Sequence, residues 1–545
     1  MKYALLLIVS LSSLFSFAQS KKFTFKLGEE YELPKKTEDL AFFGNQKDGI
    51  VNLALKKEEM NIVRFNPKTL SKTMEEKIDL DVTRNFTSEI VTDFSNSNQY
   101  YWIHSDWDKK AEKEMLFYDK MDIGKGKIAE SNHKMFETTK MGGDVATMGI
   151  YSYKLTNKYQ FDYDADRKKL LVTYRLSPEF KNDKKNYDKL GFQIFDEKLE
   201  KLWGGEFTMP YTEAIMDNSD FSVDGYGNAY LLAKIYNTDS RKETDKETGL
   251  PAYHFEIFKF TKDNPTPTIA KVSIDNNYIR STTLIENPAH EMVIACTYSK
   301  KSKGSGTDGI FLAILDKEGK IVKYKNGYYE FPKAELEKFE TARTKRKMEK
   351  KNDYENPNLM VRDVIVEPDG SIFIDCEEFW LKDNSGFMGG RYEYRWEYHY
   401  EDIYAAKISA KGDFLWIRKI PKRQAGEIES RVASFKLVNG MSSNALGFKL
   451  INDSLGYYFL YLDNIHNMNL REDEQPKYHV NGAGGQVVVS KIDNTGVVTK
   501  ELVFDTREED IMIYPQHFKK INGNQFIGRA RIKKKLFQPV MIATK

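Results

Sequence analysis

The chain has 545 residues, of which 40% are hydrophobic and 13% aromatic, enough apolar material for a large folded core rather than a tail or linker. Its 83 basic residues nearly balance its 81 acidic ones, and a formal net charge of +2 excludes the strongly basic field that nucleic acid binding requires. Only two cysteines occur, Cys296 and Cys376, which excludes a fold held together by a network of disulfides.

Residues 1–18 have the features of a secretory signal peptide. Lys2 supplies a positive charge, residues 4–14 form an apolar run, and Ser16 and Ala18 place small residues before a cleavage site. The run is shorter than the roughly 20 apolar residues of a membrane-spanning helix, and no later stretch reaches that length. We therefore expect an exported protein without a transmembrane segment, located in the periplasm, outside the cell or at the periphery of the outer membrane.

Two sequence elements alternate along the rest of the chain. One consists of an apolar strand, a polar turn and a second strand. It occurs seven times, starting at Met60, Met115, Gly191, Phe255, Ile310, Tyr404 and Val487. Upstream of each copy, a short strand and a turn lead into a strongly apolar strand, as in residues 48–56 and 455–463. Turn dipeptides such as Asp369-Gly370 are those that tight hairpins prefer, so each pair of elements predicts a four-stranded meander.

Four strands repeated about every 45 to 70 residues are typical of β-propeller blades. After the seventh copy, residues 514–545 supply three more strands, and residues 22–33 supply one strand with no upstream partner. We expect this amino-terminal strand to complete the last blade, because that removes an open sheet edge. The predicted fold is an all-β, single closed β-propeller over residues 19–545 with eight four-stranded blades, and a seven-bladed ring is the alternative.

The repeats resemble the broad class of secreted bacterial propellers with WD40-like or quinoprotein-like repeats, over nearly the whole mature chain. Residues 407–420, with a turn at Gly412 followed by Trp416, come closest to the quinoprotein blade signature. Most other copies lack that tryptophan, and the sequence has no adjacent cysteine pair of the kind that quinone-dependent dehydrogenases carry. The resemblance therefore implies a fold without that redox chemistry.

Loop lengths indicate which side of the ring carries function. In a four-stranded blade, the first-to-second and third-to-fourth turns share one face, named here the turn face. The second-to-third loops share the opposite face, named here the loop face, with the blade crossings, which connect the fourth strand of one blade to the first strand of the next. Most long loops belong to the loop face, and so do three insertions, residues 135–158, 331–358 and 377–402. Because variable loops on a rigid scaffold usually carry binding sites, we expect the loop face to bind.

The second insertion predicts the one helix of the chain. It runs over residues 332–353, begins with a proline and becomes basic toward its end. Leu336, Phe339 and Met348 could form a thin apolar stripe on it. We expect a solvated helix on the rim of the ring, and the alternative is a helix that docks a partner or lies on a membrane surface.

The third insertion contains a strict alternation of aromatic and polar residues. Its aromatic members are Tyr392, Tyr394, Trp396, Tyr398 and Tyr400, with Phe379 and Trp380 expected to join them across a hairpin. Period two places alternate residues on one face of a strand, and exposed aromatic faces anchor protein partners or stack on sugars. These seven residues are the candidate binding site. The alternative is an extended third strand whose aromatic side chains pack on a neighbouring blade.

Local motifs for catalysis and metal binding are absent from the sequence. Asp162, Asp164 and Asp166 have calcium-like spacing, but Arg167 and Thr173 stand where an EF-hand loop needs glycine and glutamate, so a polar turn explains them better. No zinc-type histidine pair, GxSxG elbow or Walker loop occurs, and we expect no metal, no cofactor and no catalytic residue.

Cys296 and Cys376 fall at the same register of adjacent blades, which predicts two buried free thiols.

The sequence therefore predicts a non-catalytic, exported binding or scaffold protein of the cell envelope that recognises a protein or glycan through the loop face. The alternative is a propeller enzyme, a hydrolase or lyase acting on polysaccharide or peptide at the central channel. Carboxylates, histidine or arginine clustered at the channel would favour the enzyme. Ligand identity and oligomeric state have no signal in the sequence.

Overall fold

The computed structural model describes residues 20–545 except residues 21, 34–36, 85, 95–96, 148–152, 181–184, 303–305, 352–355, 358, 389–390, 394, 430–445, 483 and 534. The predicted signal peptide lies outside the described residues. Among the residues described, neither α-helix is long and apolar enough to cross a bilayer.

After β1 (Phe23–Leu27) and β2 (Tyr31–Glu32), seven blades of four antiparallel strands follow one another along the described chain, and further strands extend the sheet of the sixth blade. Blades 1 and 2 contain β3 (Glu38–Asn45), β4 (Gly49–Lys56), β5 (Glu59–Phe65), β6 (Lys72–Asp79), β7 (Thr87–Phe94), β8 (Gln99–Asp108), β9 (Lys113–Asp122) and β10 (Lys127–Thr138). A hairpin of β11 (Asp144–Thr147) and β12 (Tyr153–Thr156) follows. Blades 3 and 4 contain β13 (Tyr159–Tyr163), β14 (Lys169–Arg175), β15 (Tyr187–Asp196), β16 (Lys201–Thr212), β17 (Met216–Val223), β18 (Ala229–Tyr236), β19 (Tyr253–Thr261) and β20 (Asn264–Val272).

The second half of the ring repeats the same order with larger insertions. Blade 5 contains β21 (Tyr278–Glu286), β22 (Met292–Ser299), β24 (Gly309–Leu315) and β25 (Ile321–Glu330), with the short β23 (Gly306–Thr307) pairing β26 (Asn356–Pro357). Blade 6 contains β27 (Leu359–Val366), β28 (Ile372–Asp383), β31 (Arg395–Ile408) and β32 (Phe414–Ile420), with β29 (Gly386–Met388), β30 (Arg391–Glu393) and β33 (Gln424–Glu429) beside them. Blade 7 contains β34 (Phe448–Asp453), β35 (Gly456–Asp463), β37 (Gln486–Ile492) and β38 (Val498–Asp505), with β36 (His479–Val480) in its second-to-third loop.

The two ends of the chain form the eighth blade together. Its carboxyl-terminal strands are β39 (Met512–Ile513), β40 (Lys519–Asn522), β41 (Gln525–Arg531) and β42 (Leu536–Thr544). The outer strand is β1, which pairs antiparallel with β42 from Phe23 opposite Thr544 to Leu27 opposite Val540. Phe23 is buried, and its ring contacts Tyr458 of blade 7 edge-on at 5.5 Å. The predicted eight-bladed ring with an amino-terminal closing strand is thus confirmed.

The hydrophobic core lies between neighbouring blades. One cluster joins side chains of blades 4 and 5 and contains Cys296, and the next joins blades 5 and 6 and contains Cys376. The two cysteines thus occupy equivalent positions, and both are buried and free, as predicted. Burial raises the pKa of each thiol well above its ordinary value.

The predicted helix over residues 332–353 is wrong in extent. Two short helices are present, α1 (Lys333–Leu336) and α2 (Ala342–Lys351). Phe339 interrupts them with a φ of 59°, and its backbone N–H donates to the carbonyl oxygen of Glu472 in blade 7 at 2.7 Å. Leu336 is buried against blade 6. The burial of Leu336 and the hydrogen bond of Phe339 to Glu472 together outweigh helix propensity. The side chain of Met348 is not among those described.

Candidate functional site

Blade 6 carries a projecting sheet on the loop face. Strand β32 ends opposite Ile403, but β31 and β28 continue to pair as far as Trp396 opposite Asp383. Beyond that point the connecting loop contains the hairpin of β29 and β30. Residues 378–401 are named here the blade-six extension. Its outer side is completed by β33, which pairs with β31, and by β36, which pairs parallel with β33.

The inner half of the predicted aromatic ladder is a small hydrophobic core. Phe379 lies opposite Tyr400 in the register, and residues directly opposite in antiparallel strands share a face. Phe379, Tyr398 and Tyr400 are all buried and pack with Leu446. The rings of Phe379 and Tyr400 are 4.9 Å apart. These three candidate residues therefore have a packing role, as the alternative interpretation expects, although their partners come from the extension and from Leu446.

In the outer half of the ladder, Trp396 is the one member whose side chain the structure describes. Trp396, near the end of the paired region, is half-buried. Tyr392 lies in β30, but its side chain is not among those described, and Tyr394 lies outside the described residues. Phe387, which the sequence analysis missed, sits in β29 with 79% of its surface exposed. A single aromatic residue in the segment 383–391, which is rich in glycine and polar residues, gives no periodic signal, although its place in a predicted hairpin could have drawn attention.

Trp380 does not join the aromatic face, so that part of the prediction is wrong. It lies opposite His399 on the other side of the sheet, and the two rings stack at 3.4 Å. Successive residues of a strand point to opposite faces, so Phe379 and Trp380 cannot share one. Because His399 also contacts the ring of Tyr478 edge-on at 5.8 Å, the second face carries an aromatic cluster of its own.

Charged groups surround this second cluster. The Nε2 atom of His399 lies 3.0 Å from Glu397, and its Nδ1 atom lies 3.7 Å from Glu401. Burial lowers the pKa of His399 despite these carboxylates. Tyr478 donates a hydrogen bond to Glu401 at 2.7 Å, and the guanidinium of Arg423 lies 4.2 Å from the centroid of the Tyr478 ring. This face therefore combines flat rings with hydrogen-bonding groups of both charges.

Buried ion pairs fix the root of the extension. Glu377 lies between the guanidinium of Arg362, whose Nε donates to it at 2.7 Å, and the ammonium of Lys422, also at 2.7 Å. Lys422 in turn donates to the carbonyl oxygen of Tyr400 at 3.0 Å. Burial would raise the pKa of Glu377, but the charges of Arg362 and Lys422 outweigh it and hold that pKa below its ordinary value. The extension is thus anchored by a network in which buried Lys422 and largely buried Arg362 share the carboxylate of Glu377.

The central channel contains a second group of ionisable side chains. Asp162 of β13 and Asp220 of β17 line a cavity of about 630 Å³ together with hydroxyl groups of Ser219, Ser281 and Thr282. Asp220 accepts hydrogen bonds from the backbone of Leu284 at 2.7 Å, whereas Oδ2 of Asp162 accepts none from the described residues.

The two carboxyl groups have different proton affinities. Burial, and then the charge of Asp220, raises the pKa of Asp162 to about 8. Burial raises the pKa of Asp220 to about 6, because its backbone hydrogen bonds oppose the effect. Asp164 instead accepts from the backbone of Lys168 and Lys169, as a polar turn requires, and within the described residues no three His, Cys, Asp or Glu side chains are arranged to hold a metal ion.

No protein-family model matches the sequence, and neither does any curated protein. Similar solved structures include the β-propeller domain of the Trilobed protease from Pyrococcus furiosus, at 10% identity over 87% of this chain and 97% of that one, with a TM-score of 0.34. The WD40 domain of SCAP from fission yeast is similar at 8% identity over 94% of this chain and 98% of that one, with a TM-score of 0.37. At these values the likenesses carry no argument about activity or partners.

Proposed function

We propose that this chain is a non-catalytic, exported binding or scaffold protein of the cell envelope that recognises a protein or glycan through the blade-six extension. The observation that supports this most is the placement of Phe387, 79% exposed, in the β29–β30 hairpin that follows the end of a sheet with a fixed root. Half-buried Trp396 and Trp380 lie on opposite faces behind it. Aromatic side chains on rigid supports lose little conformational freedom on binding, which makes them effective anchors.

Replacement of Phe387 and Trp396 by alanine reduces recovery of a specific partner from the native envelope by about tenfold or more, because truncated hot-spot residues typically cost about 2 kcal/mol or more. The measurement is a pull-down with wild-type and variant protein, with the melting temperature of each recorded. The matched control is Tyr226→Ala, which removes an aromatic ring of 64% exposure from the turn face. Protease or glycosidase treatment of the captured material separates a protein partner from a glycan.

Equal recovery by wild type and the double variant would show that the extension is not the binding surface. An equal loss of recovery with Tyr226→Ala would show that capture depends on non-specific binding to exposed aromatic side chains. A fall in melting temperature for the double variant would assign Trp396 to the core, and the single variant Phe387→Ala then becomes the decisive comparison.

A second candidate, a hydrolase or lyase acting at the channel, is favoured by one observation. Asp162 and Asp220 line the same cavity, and their environments push the two pKa values to about 8 and about 6. Such separated carboxyl groups can act as general acid and general base. Asp162 is protonated, as a general acid must be, below about pH 8, and Asp220 is ionised, as a general base must be, above about pH 6. Activity on polysaccharide or peptide therefore peaks between these two pH values. The substitution Asp162→Asn abolishes that activity. Release of reducing ends or new amino termini is the readout, and no conversion by wild type across that pH range removes the candidate.

A further inference from the structure

The turn face opens into a cavity of about 910 Å³ between blades 1, 2, 3, 7 and 8, named here the turn-face cavity. Its lining includes no residue of the blade-six extension and neither Asp162 nor Asp220. Tyr163 lines both this cavity and the one that holds the two carboxyl groups. Phe518 and Ile521 are apolar members of its lining, and Asn45 and Asn522 are uncharged polar members. Its size and mixed lining are those of a small-molecule site.

The lining of the turn-face cavity is strongly unbalanced in charge. Its cationic residues are Lys47, Arg167, Lys449, Lys519 and Lys520, and its one acidic residue is Asp93. That carboxylate is already engaged, because Arg167 lies 3.7 Å from it and also donates to the Asp93 carbonyl oxygen at 3.0 Å. The guanidinium of Arg167 stacks on Tyr163 at 4.0 Å, so it is fixed in place. The chain as a whole is nearly neutral, which makes this local excess a property of the site.

None of the four lysines has a side-chain hydrogen-bond or ion-pair partner among the described residues, but Lys47 and Lys520 are exposed, which leaves Lys449 and Lys519. Lys449 is on β34 and Lys519 on β40, the inner strands of blades 7 and 8, and both side chains are partly buried. Burial lowers the pKa of Lys519, and the nearby charges of Arg167 and Lys449 lower it further while Asp93 opposes them. Asp363 is near enough to Lys449 to feel its charge, but the two form no ion pair. The lining therefore brings several cations to one cavity with a single carboxylate among them.

We propose that the turn-face cavity binds a small anion of the phosphate or carboxylate type with at least two negative charges, held between the ammonium groups of Lys449 and Lys519. Such an anion relieves the repulsion between the two cations and supplies the hydrogen-bond acceptors that they lack. One charge would satisfy only one ammonium group, so the site favours multiply charged ligands over chloride. This inference does not depend on the function proposed for the blade-six extension.

The test measures binding of inorganic pyrophosphate and of citrate, separately, by isothermal titration calorimetry and by thermal shift, with sodium chloride as the singly charged comparison. Wild type binds one of the two probes at one site and its melting temperature rises with probe concentration. In the variant Lys449→Gln/Lys519→Gln the affinity falls by about a hundredfold, since two charge-assisted contacts are lost. Which probe binds more tightly separates phosphoryl from carboxylate chemistry.

The matched control is Lys246→Gln/Lys262→Gln, which removes two exposed lysines outside the channel. It binds the probe like wild type, whereas equal loss in both double variants would show that only net charge matters and would overturn the site. The proposal is overturned if wild type binds neither probe at a probe concentration of about 10 mM. A dissociation constant of that size corresponds to a binding free energy of only about 3 kcal/mol. Without anion, the variant Lys449→Gln/Lys519→Gln melts at or above the wild-type temperature, because the repulsion between the two lysines has been removed. A lower melting temperature for this variant also contradicts the proposed site.

Discussion

Replacing Tyr400 by alanine lowers the free energy of unfolding by about 3–5 kcal/mol, the range found for large-to-small changes at buried aromatic positions. Tyr400 is fully buried, and its ring packs on Phe379 in the cluster at the root of the extension. The guanidinium of Arg362 and the ammonium of Lys422 lie 5.6 and 5.8 Å from its centroid. Alanine therefore leaves a cavity and takes a polarisable ring away from two buried cations. Calorimetric melting of wild type and variant measures the loss.

Phe387→Ala is the matched control for Tyr400→Ala, because it removes an aromatic ring from the same extension at an exposed position. Its effect on stability stays within about 0.5 kcal/mol, as for most surface substitutions. An unchanged melting temperature for Tyr400→Ala would contradict the packing described here. Tyr398 and Phe379 would then again be candidates for direct contact with a partner.

Glu377→Gln destabilises the protein by about 3–5 kcal/mol, because removing one member of a buried charge network leaves the others uncompensated. Arg362 and Lys422 both face this carboxylate, and the side chains of Glu377 and Lys422 are almost completely buried. Glutamine keeps the size and part of the hydrogen bonding, so the loss reports the charge. Glu318→Gln, at an exposed turn, is the control and leaves the melting temperature unchanged.

The pH dependence of the Glu377→Gln effect has a definite sign. The folded pKa of Glu377 lies below its ordinary value of 4.5, so its contribution is fully present above that pH and is lost as pH falls through the folded pKa. The difference in melting temperature between wild type and variant is therefore largest near neutral pH and shrinks below about pH 4.5. A difference that stays constant on acidification would show that Glu377 contributes through its shape and not its charge.

The ring and its closure could be predicted from the sequence because both depend on short-range patterns. Hairpin turns, strand lengths and the number of repeats are local properties of the sequence. The strand near Phe23 has no upstream partner, so the last blade was the one position where it could pair. The extent of the helix after Pro332 could not be predicted, since the break at Phe339 depends on a contact with Glu472, far along the chain.

The aromatic ladder shows where periodicity stops being informative. An alternation of rings predicts which residues share a face, but not whether another part of the chain covers that face. Tyr398 and Tyr400 are covered by Leu446, which arrives from the next blade crossing. The pairing of β28 with β31 also shifts register between Glu377 and Phe379, an irregularity without a sequence signature.

The charged groups of the channel were missed for a different reason. Asp162, Asp220, Lys449 and Lys519 come from the inner strands of four blades, and the local spacing of Asp162 with Asp164 and Asp166 indicates only a polar turn. Only the circular arrangement brings them around one axis. Aligning the first strands of all blades and reading the charged positions down that alignment is the one sequence signal that could have found them.

The pairing of β1 with β42 also has a consequence for how the molecule is assembled. Among the strands of the ring, β1 is synthesised first and β42 last, so the ring cannot close until β42 has been made. Until then the edge of β42 is an open template, and β1 of a second molecule fits it as well as the chain's own strand does. Such an exchange would join two molecules with every blade intact. In such an exchange, the fraction of rings closed by a neighbour's strand would rise with the concentration of newly made chains.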